Sequence, residues 1–404
     1  MIRMLSAFTD ASDPSAAAAE IFDAIDPEQH LLGNSLGIMH CRPEYAAGGA
    51  VKAVCGRFGF DTVGSVSPAF SASTAAYPSG ESSDTGMLYT VLTSDDVRFT
   101  TVQSARISPA RLSGALDDMY QSLMSSVSER PRLIVPFAPF MRSVNGDDVV
   151  MKLDSLVGDI PMFGALGFSN DADAGRSYAI YNGAVYPGAM TLTAFTGNVE
   201  PDMFSITTLK ETMLKLKAVI TKAEDNRLIE VNGTPAKEFF ASIGLLDDGG
   251  GIEQLKVKPM LLETPDGRKL ARNCVGISSD GDLLCAGYMP VGAKLEFAVM
   301  RPDDVVKSTR VTLEEALKSV LGRGGAEYDA EEAEGKCVLI YSCVARMWQL
   351  CGNDGAEREL VKSIFSASAQ YNFVYCGGEI FPQHLPNGRT VSALQNNTLI
   401  ACVL

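Results

Sequence analysis

Histidine and tryptophan are scarce in this chain, with three of the first and one of the second in 404 residues. Metal ligation is poorly supplied as a result, and His30, His40 and His384 match no standard zinc spacing. The nine cysteines include no CxxC pair, and an odd number in a long chain does not describe a disulfide framework. They read as reduced, mostly buried thiols of a reducing cytosol, which makes the sequons at Asn232 and Asn396 coincidental. Long apolar runs are missing too. Cys337 to Leu350 is the longest, and Arg346 interrupts it well short of a membrane span. The N-terminal apolar stretch is broken at Thr9 and Asp10, too early for a signal-peptide core. Basic residues are outnumbered, 34 against 49 acidic, for a formal net charge of −15. A field of that sign repels phosphate backbones and anionic lipid. The expectation is a soluble cytoplasmic protein with no nucleic-acid partner and no membrane insertion.

What the chain does have is an ordinary globular make-up, 46% hydrophobic and 21% charged, enough for a full-sized core. Its length implies two to three domains of ~100–200 residues each. Asp13-Pro14 opens an alanine-rich helix to about Ile25, and Leu31 to Met39 reads as a strand. A helix follows from Pro43 to about Cys55. Ser108-Pro109 begins a further helix whose Leu112, Leu116, Met119, Tyr120, Leu123 and Val127 recur at helical spacing. Asn145 caps the next, to Val157. Near Gly197 to Pro201 the pattern changes to long alternating strands, with hairpin turns at Pro265-Asp266-Gly267 and Asp280-Gly281. Thr312 and Glu315 have the spacing of a capping box for a helix to Leu321. Glu327 to Glu334 is an acidic, solvated loop. The fold class predicted is α+β with mixed α/β layers. Two domains, 1–205 and 206–404, would each carry a largely antiparallel or mixed sheet flanked by helices, with a smaller break near 325.

Several stretches touch on chemistry. Gly33-Asn34-Ser35-Leu36-Gly37 has the GxSxG spacing of a nucleophile elbow, which makes a serine hydrolase using Ser35 an alternative function. Only about one strand precedes it, however, and the sole distal histidine is His384, so a glycine-bracketed turn is the preferred reading. Gly276 to Gly281 has phosphate-loop spacing but is followed by Asp282, where such a loop needs lysine. Two stretches stand out, CVLIYSCVAR (337–346) and VYCGGEIFP (374–382). Arg346 and Glu379 each follow an interior-type strand, where a charge must be paired or meet a ligand. Gly377-Gly378 leaves room for something to approach the backbone. Cys343, Arg346, Gly377, Gly378 and Glu379 are therefore expected to bind a small ligand. Arg346 would fork to a carboxylate and Glu379 would meet an ammonium. The alternative is a salt bridge between Arg346 and Glu379. No catalytic or metal-ligating residue is assigned.

The same residues carry a family resemblance. HLLGNSLG (30–37), FDTVGSVSPAF (60–70) and the stretch from Met162 to Tyr186 resemble the N-terminal half of FIST proteins. ITKAEDNRLIEVNGTPAKEFF (220–240), GYMPVGAKLEFAVM (287–300), IYSCVARMW (340–348), CGGEIFP (376–382) and the closing NNTLIACVL (396–404) resemble the C-terminal half. The resemblance spans nearly the whole chain, which leaves no room for an attached output domain. It implies a cytoplasmic sensory protein that binds a small ligand such as an amino acid. Such a protein would signal to a separate kinase or cyclic-dinucleotide enzyme and would have no catalytic residues. Some members look like haem-containing nitric oxide sensors, which makes haem the alternative cofactor, although the resemblance places its ligand on none of the three histidines. This chain has Ala345 where the resemblance leads one to expect glycine.

Overall fold

Asn34–Cys41, from Leu36 onward fully buried, lies inside a six-stranded sheet. The sheet runs Arg3–Thr9, Met87–Ser94, Asn34–Cys41, Thr62–Val66, Ala179–Tyr181, Ala184–Tyr186, with one parallel pair, Asn34–Cys41 on Thr62–Val66. The chain is described by a computed structural model over residues 1–169, 177–247, 251–321, 336–365 and 369–404. The expected break near 325 and the acidic run Glu327 to Glu334 lie outside those residues.

Two further six-stranded sheets are each assembled from both ends of the sequence. One runs Thr390–Gln395, Gly378–His384, Gly164–Gly167, Leu133–Pro139, Thr191–Gly197, Val97–Gln103. The other runs Asp202–Ile206, Leu399–Val403, Cys337–Cys343, Gln370–Cys376, Phe70–Ala72, Glu81–Ser83. Strands from both sides of residue 205 thus pair within single sheets. All three sheets share one inner core, where Leu36 and Val63 of the first meet Phe137 and Phe163 of the second and Tyr341 and Val374 of the third. Helices cover the outer faces. Pro14–Ile25 and Ala50–Cys55 pack on the first sheet, Leu112–Ser126 and Gly146–Val157 on the second, Pro302–Val320 and Ala356–Phe365 on the third. The remaining strands, between Met213 and Ala298, make an antiparallel sheet with a core of its own around Ile220, Phe240, Leu295 and Phe297. The architecture is α+β, as expected.

Asn145 caps Gly146–Val157 through Oδ1 on the Asp147 amide, and both hairpin turns form, with Gly267 and Gly281 at positive φ. Ser108-Pro109 forms a turn instead of a helix start, and that helix begins at Leu112. The Pro43 helix is split, because Gly48 ends one piece and Gly49, at φ 88, precedes the next. The helix expected from Thr312 begins ten residues earlier, at Pro302 (Pro302–Val320). There Pro sits in the first turn and the Asp304 carboxylate accepts the Arg301 N–H, so Thr312 is buried mid-helix.

Candidate functional site

Where the Met213–Ala298 sheet meets the main body there is a cavity of about 520 Å3. Its walls are strand ends and the loops that follow them. After Leu133–Pro139 the chain supplies Phe140, Arg142 and Asn145 before entering Gly146–Val157. Cys337–Cys343 runs straight into the short helix Val344–Gln349, which places Cys343 and Trp348 on the same wall. Gly377 links Gln370–Cys376 to Gly378–His384, and Asn396 follows Thr390–Gln395. The small sheet contributes Asn273 and the turn Cys285 to Tyr288.

A buried clamp holds the two bodies together at this edge. Arg272, fully buried, donates from Nη2 to Asp147 Oδ1 at 2.7 Å, from Nε to Tyr288 O at 3.1 Å and from Nη1 to Leu394 O at 3.0 Å. Asp147 also accepts the Tyr288 N–H at 2.7 Å, and the Tyr288 hydroxyl donates to Asp148 at 2.6 Å. Gly287 permits this approach, because a Cβ there would stand 2.5 Å from Asp147 Oδ2. Aromatic rings line the opposite side. Phe168 lies between Phe140 and Trp348, with ring centroids 6.4 and 6.0 Å away.

Of the residues chosen from sequence, Cys343 and Gly377 line the cavity. Arg346, Gly378 and Glu379 stand behind its wall. Arg346 is fully buried and pairs with Glu357 rather than Glu379. It also donates to Ser308 Oγ at 2.9 Å, Thr309 Oγ1 at 2.8 Å, Val305 O at 3.2 Å and Thr207 O at 3.3 Å. Glu357 in turn accepts from Ser342 and Tyr375 at 3.1 and 3.0 Å and from Thr309. Glu379 is equally buried, but its partners are the Cys376 thiol at 3.1 Å and the Thr398 N–H at 3.3 Å. Burial raises its pKa to about 8, so at neutral pH it is a neutral acid, not a counter-charge. The same burial, with Glu379 beside them, pushes the Cys343 and Cys376 thiols well above their usual range. They are therefore poor nucleophiles. Gly378 opens a strand instead of a space, and its missing side chain lets Leu394 and Gln395 pack close.

The other sequence candidates lie elsewhere. Ser35 is in Asn34–Cys41, where its hydroxyl pairs with that of Thr93 at 2.9 Å, while His384 sits at an exposed position of a different sheet beside Thr390. Gly37 serves packing, since a Cβ there would fall 2.3 Å from the Tyr89 hydroxyl. Haem does not fit the buried histidine, and the other two, His30 and His384, lie outside the cavity. His40 is fully buried between Phe137 and Tyr341, 5.6 and 6.0 Å away by ring centroid, which leaves no face for a macrocycle. Burial lowers its pKa to about 3. Among the described residues no histidine lines the cavity, and no three His, Cys, Asp or Glu gather to hold a metal. Sequence reasoning missed Asn273 and Phe140 altogether. It noted Asn396 only as a sequon and within a stretch resembling the family, and Trp348 only within such a stretch.

Compared with known families, residues 35–234 match the FIST N domain and residues 227–382 match the FIST C domain. The chain belongs to the FIST family. FIST domains are sensory, small-ligand-binding domains of signal transduction. No curated protein matches this FIST chain. Among solved structures it is similar to a chorismatase, at 10% identity and TM-score 0.35, over 100% of this chain and 98% of that one. It is also similar to a cyanuric acid hydrolase, at 8% identity and TM-score 0.25, over 74% of this chain and 100% of that one. Likenesses this low bear on neither site nor reaction. Among the described residues no helix is long and apolar enough to cross a membrane.

Proposed function

We propose that this FIST protein is a non-catalytic cytoplasmic sensor. It binds a small amphoteric metabolite, an amino acid or a close relative, in the cavity between the Met213–Ala298 sheet and the main body. It then signals to a separate output protein. The observation that carries this reading is the composition of the wall. Cys343, Trp348 and Gly377 belong to the main body and Asn273 and Tyr288 to the small sheet, so one ligand touches both bodies at once. A ligand that bridges two bodies favours whichever arrangement makes both sets of contacts, and this is how binding becomes a signal. Arg142 and Lys256 bring positive charge to the cavity and Asp148 and Asp225 negative charge, which suits a molecule carrying both. Enclosure by aromatic rings with a few convergent polar groups is the usual form of a small-molecule site.

Of the five residues chosen from sequence, Cys343 and Gly377 would touch the ligand. Arg346, Gly378 and Glu379 would hold the wall that presents them. The test uses the single tryptophan, which lines the cavity. Amino acids and related metabolites are titrated while Trp348 fluorescence and the melting temperature are followed. A true ligand at 100 times its Kd stabilises the fold by ~2.7 kcal/mol and changes the emission. A melting shift without any change at Trp348 would move the site elsewhere, and silence across the panel would remove the amino-acid reading.

A further inference from the structure

Cys274 and Cys285 face each other across the hairpin that carries the small-sheet wall of the cavity. Their sulfurs are 4.0 Å apart, and both side chains are buried. The two residues are directly opposed where Cys274–Ile277 pairs with Leu283–Cys285. The ladder bond beside them runs from the Ala286 N–H to Asn273 O at 2.9 Å, while the Cys285 N–H turns away to Asn226 O at 2.8 Å. Cys274 and Cys285 are therefore a non-hydrogen-bonded pair, the kind whose side chains stand closest. Such pairs have Cα atoms ~4.5 Å apart, within the ~4.4–6.8 Å that a disulfide spans. Cys274–Ile277 is a terminal strand of its sheet and only 4 residues long. Pairing slips straight after Cys274, where Val275 is left without an opposite residue and is 44% exposed. A short terminal strand with a bulge opens at little cost. Cys343 and Cys376 are also opposed, but on two central strands of the third sheet, and Cys376 donates to Glu379.

We propose that Cys274 and Cys285 form a reversible disulfide that tightens the grip of the small sheet on the main body. Arg272 comes just before Cys274 and Tyr288 soon after Cys285, and each bonds Asp147 at 2.7 Å. A cross-link between the two cysteines ties those segments together at the Asp147 end of the hairpin. The oxidant is hydrogen peroxide. One thiolate attacks a peroxide oxygen, the O–O bond breaks, and hydroxide departs to leave a sulfenic acid. The second thiolate attacks that sulfur, so the S–S bond forms as the S–O bond breaks and hydroxide leaves again. The two thiol protons turn both hydroxides into water. The thiols together lose two electrons, and one peroxide is reduced to two waters. A dithiol reverses the step by exchange. The hydrogen bond to Cys285 and burial push the Cys274 thiol well above its usual range. The pair therefore stays reduced while the terminal strand is in place and reacts when it opens. In a reducing compartment such a bond is transient and reports on oxidants. The site does not depend on what the cavity holds.

The test uses the full-length protein, first reduced and then treated with hydrogen peroxide in molar excess. Remaining thiols are alkylated in denaturant, and cross-linked peptides are mapped by mass spectrometry. Cys274 should be joined to Cys285, and dithiothreitol should release both. Amide hydrogen exchange at Ala286 and Tyr288 should slow at least ~10-fold in the oxidised protein, because the closed loop disfavours the opened state. Cys285→Ser should show no such slowing under the same treatment. Both thiols alkylated after peroxide, a Cys343–Cys376 bond in place of this one, or sulfinic acid on either sulfur without a cross-link overturns the assignment. A cross-link that leaves exchange at Ala286 and Tyr288 unchanged overturns it too, because the grip on Asp147 is then indifferent to the bond. Mapping and exchange are measured on the native sequence, so they decide the matter even where the variant fails to fold.

Discussion

Arg346 and Glu357 form an ion pair at 3.0 Å in which neither side chain reaches solvent. Hydroxyls and carbonyls of four neighbouring segments complete the shells of both charges. Such a pair adds little net stability over an apolar substitute, but losing one member strands the other charge in the core. Arg346→Ala and Glu357→Ala should each destabilise the fold by ~3–5 kcal/mol in chemical denaturation. The double variant Arg346→Met with Glu357→Leu should lose clearly less than the sum of the single variants. Additive losses would mean that the two charges do not depend on each other.

Glu379 gives the protein a pH dependence of known sign. Its carboxyl is raised from the ordinary 4.5 to about 8 in the fold. Between those values the folded state holds a proton that the unfolded chain has released. Stability therefore falls as pH rises through that window, by ~1.4 kcal/mol per pH unit for one proton. Glu379→Gln removes the slope. Urea denaturation at pH 5, 6.5 and 8 should show the variant gaining on the native protein as pH rises. A constant difference would show that Glu379 ionises as an ordinary carboxyl.

Ser35 should behave as a structural hydroxyl. Ser35→Ala loses a side-chain hydrogen bond to Thr93, an effect of ~0.5–1.5 kcal/mol, and ligand binding should not change. A fluorophosphonate probe should not label the native protein at this position. Labelling that disappears in Ser35→Ala would restore the hydrolase reading.

Brief proteolysis within 197–210, the boundary expected from sequence, should produce two halves that stay together. Thr390–Gln395 and Gly378–His384 extend a sheet made otherwise of strands before residue 200, and Phe70–Ala72 pairs with Gln370–Cys376. Size-exclusion chromatography of the nicked protein should give one peak under native conditions and two fragments after denaturation. Separation under native conditions would mean that the two halves are independent domains.

Much of the local structure was already determined by the sequence, and the reason is local too. Pro14, Asn145 and the two hairpin glycines act through their own φ angles or through amides within a few residues, so spacing alone reveals them. The α+β class and the antiparallel character of Met213 to Ala298 were legible for the same reason. So were the burial of the cysteines, eight of the nine, and the interior position of Arg346 and Glu379. The partners of those two charges were not. Glu357 is on a helix whose sequence reads as an ordinary amphipathic surface, and only the docking of Ala356–Phe365 onto the third sheet buries it against Arg346. Gly378–His384 was missed as a strand because its pairing partners are Gly164–Gly167 and Thr390–Gln395, and no local periodicity shows that pairing. The cavity is further still from the sequence. Asn145, Asn273, Cys343 and Asn396 are separated by most of the chain and share a wall only because the sheets are assembled from both ends and the Asp147–Arg272 pair closes the small sheet onto them. An unsatisfied oxygen on Asn273 is a property of that assembly. Asparagine in sequence looks like a turn residue, and only the assembled fold shows that this one is buried.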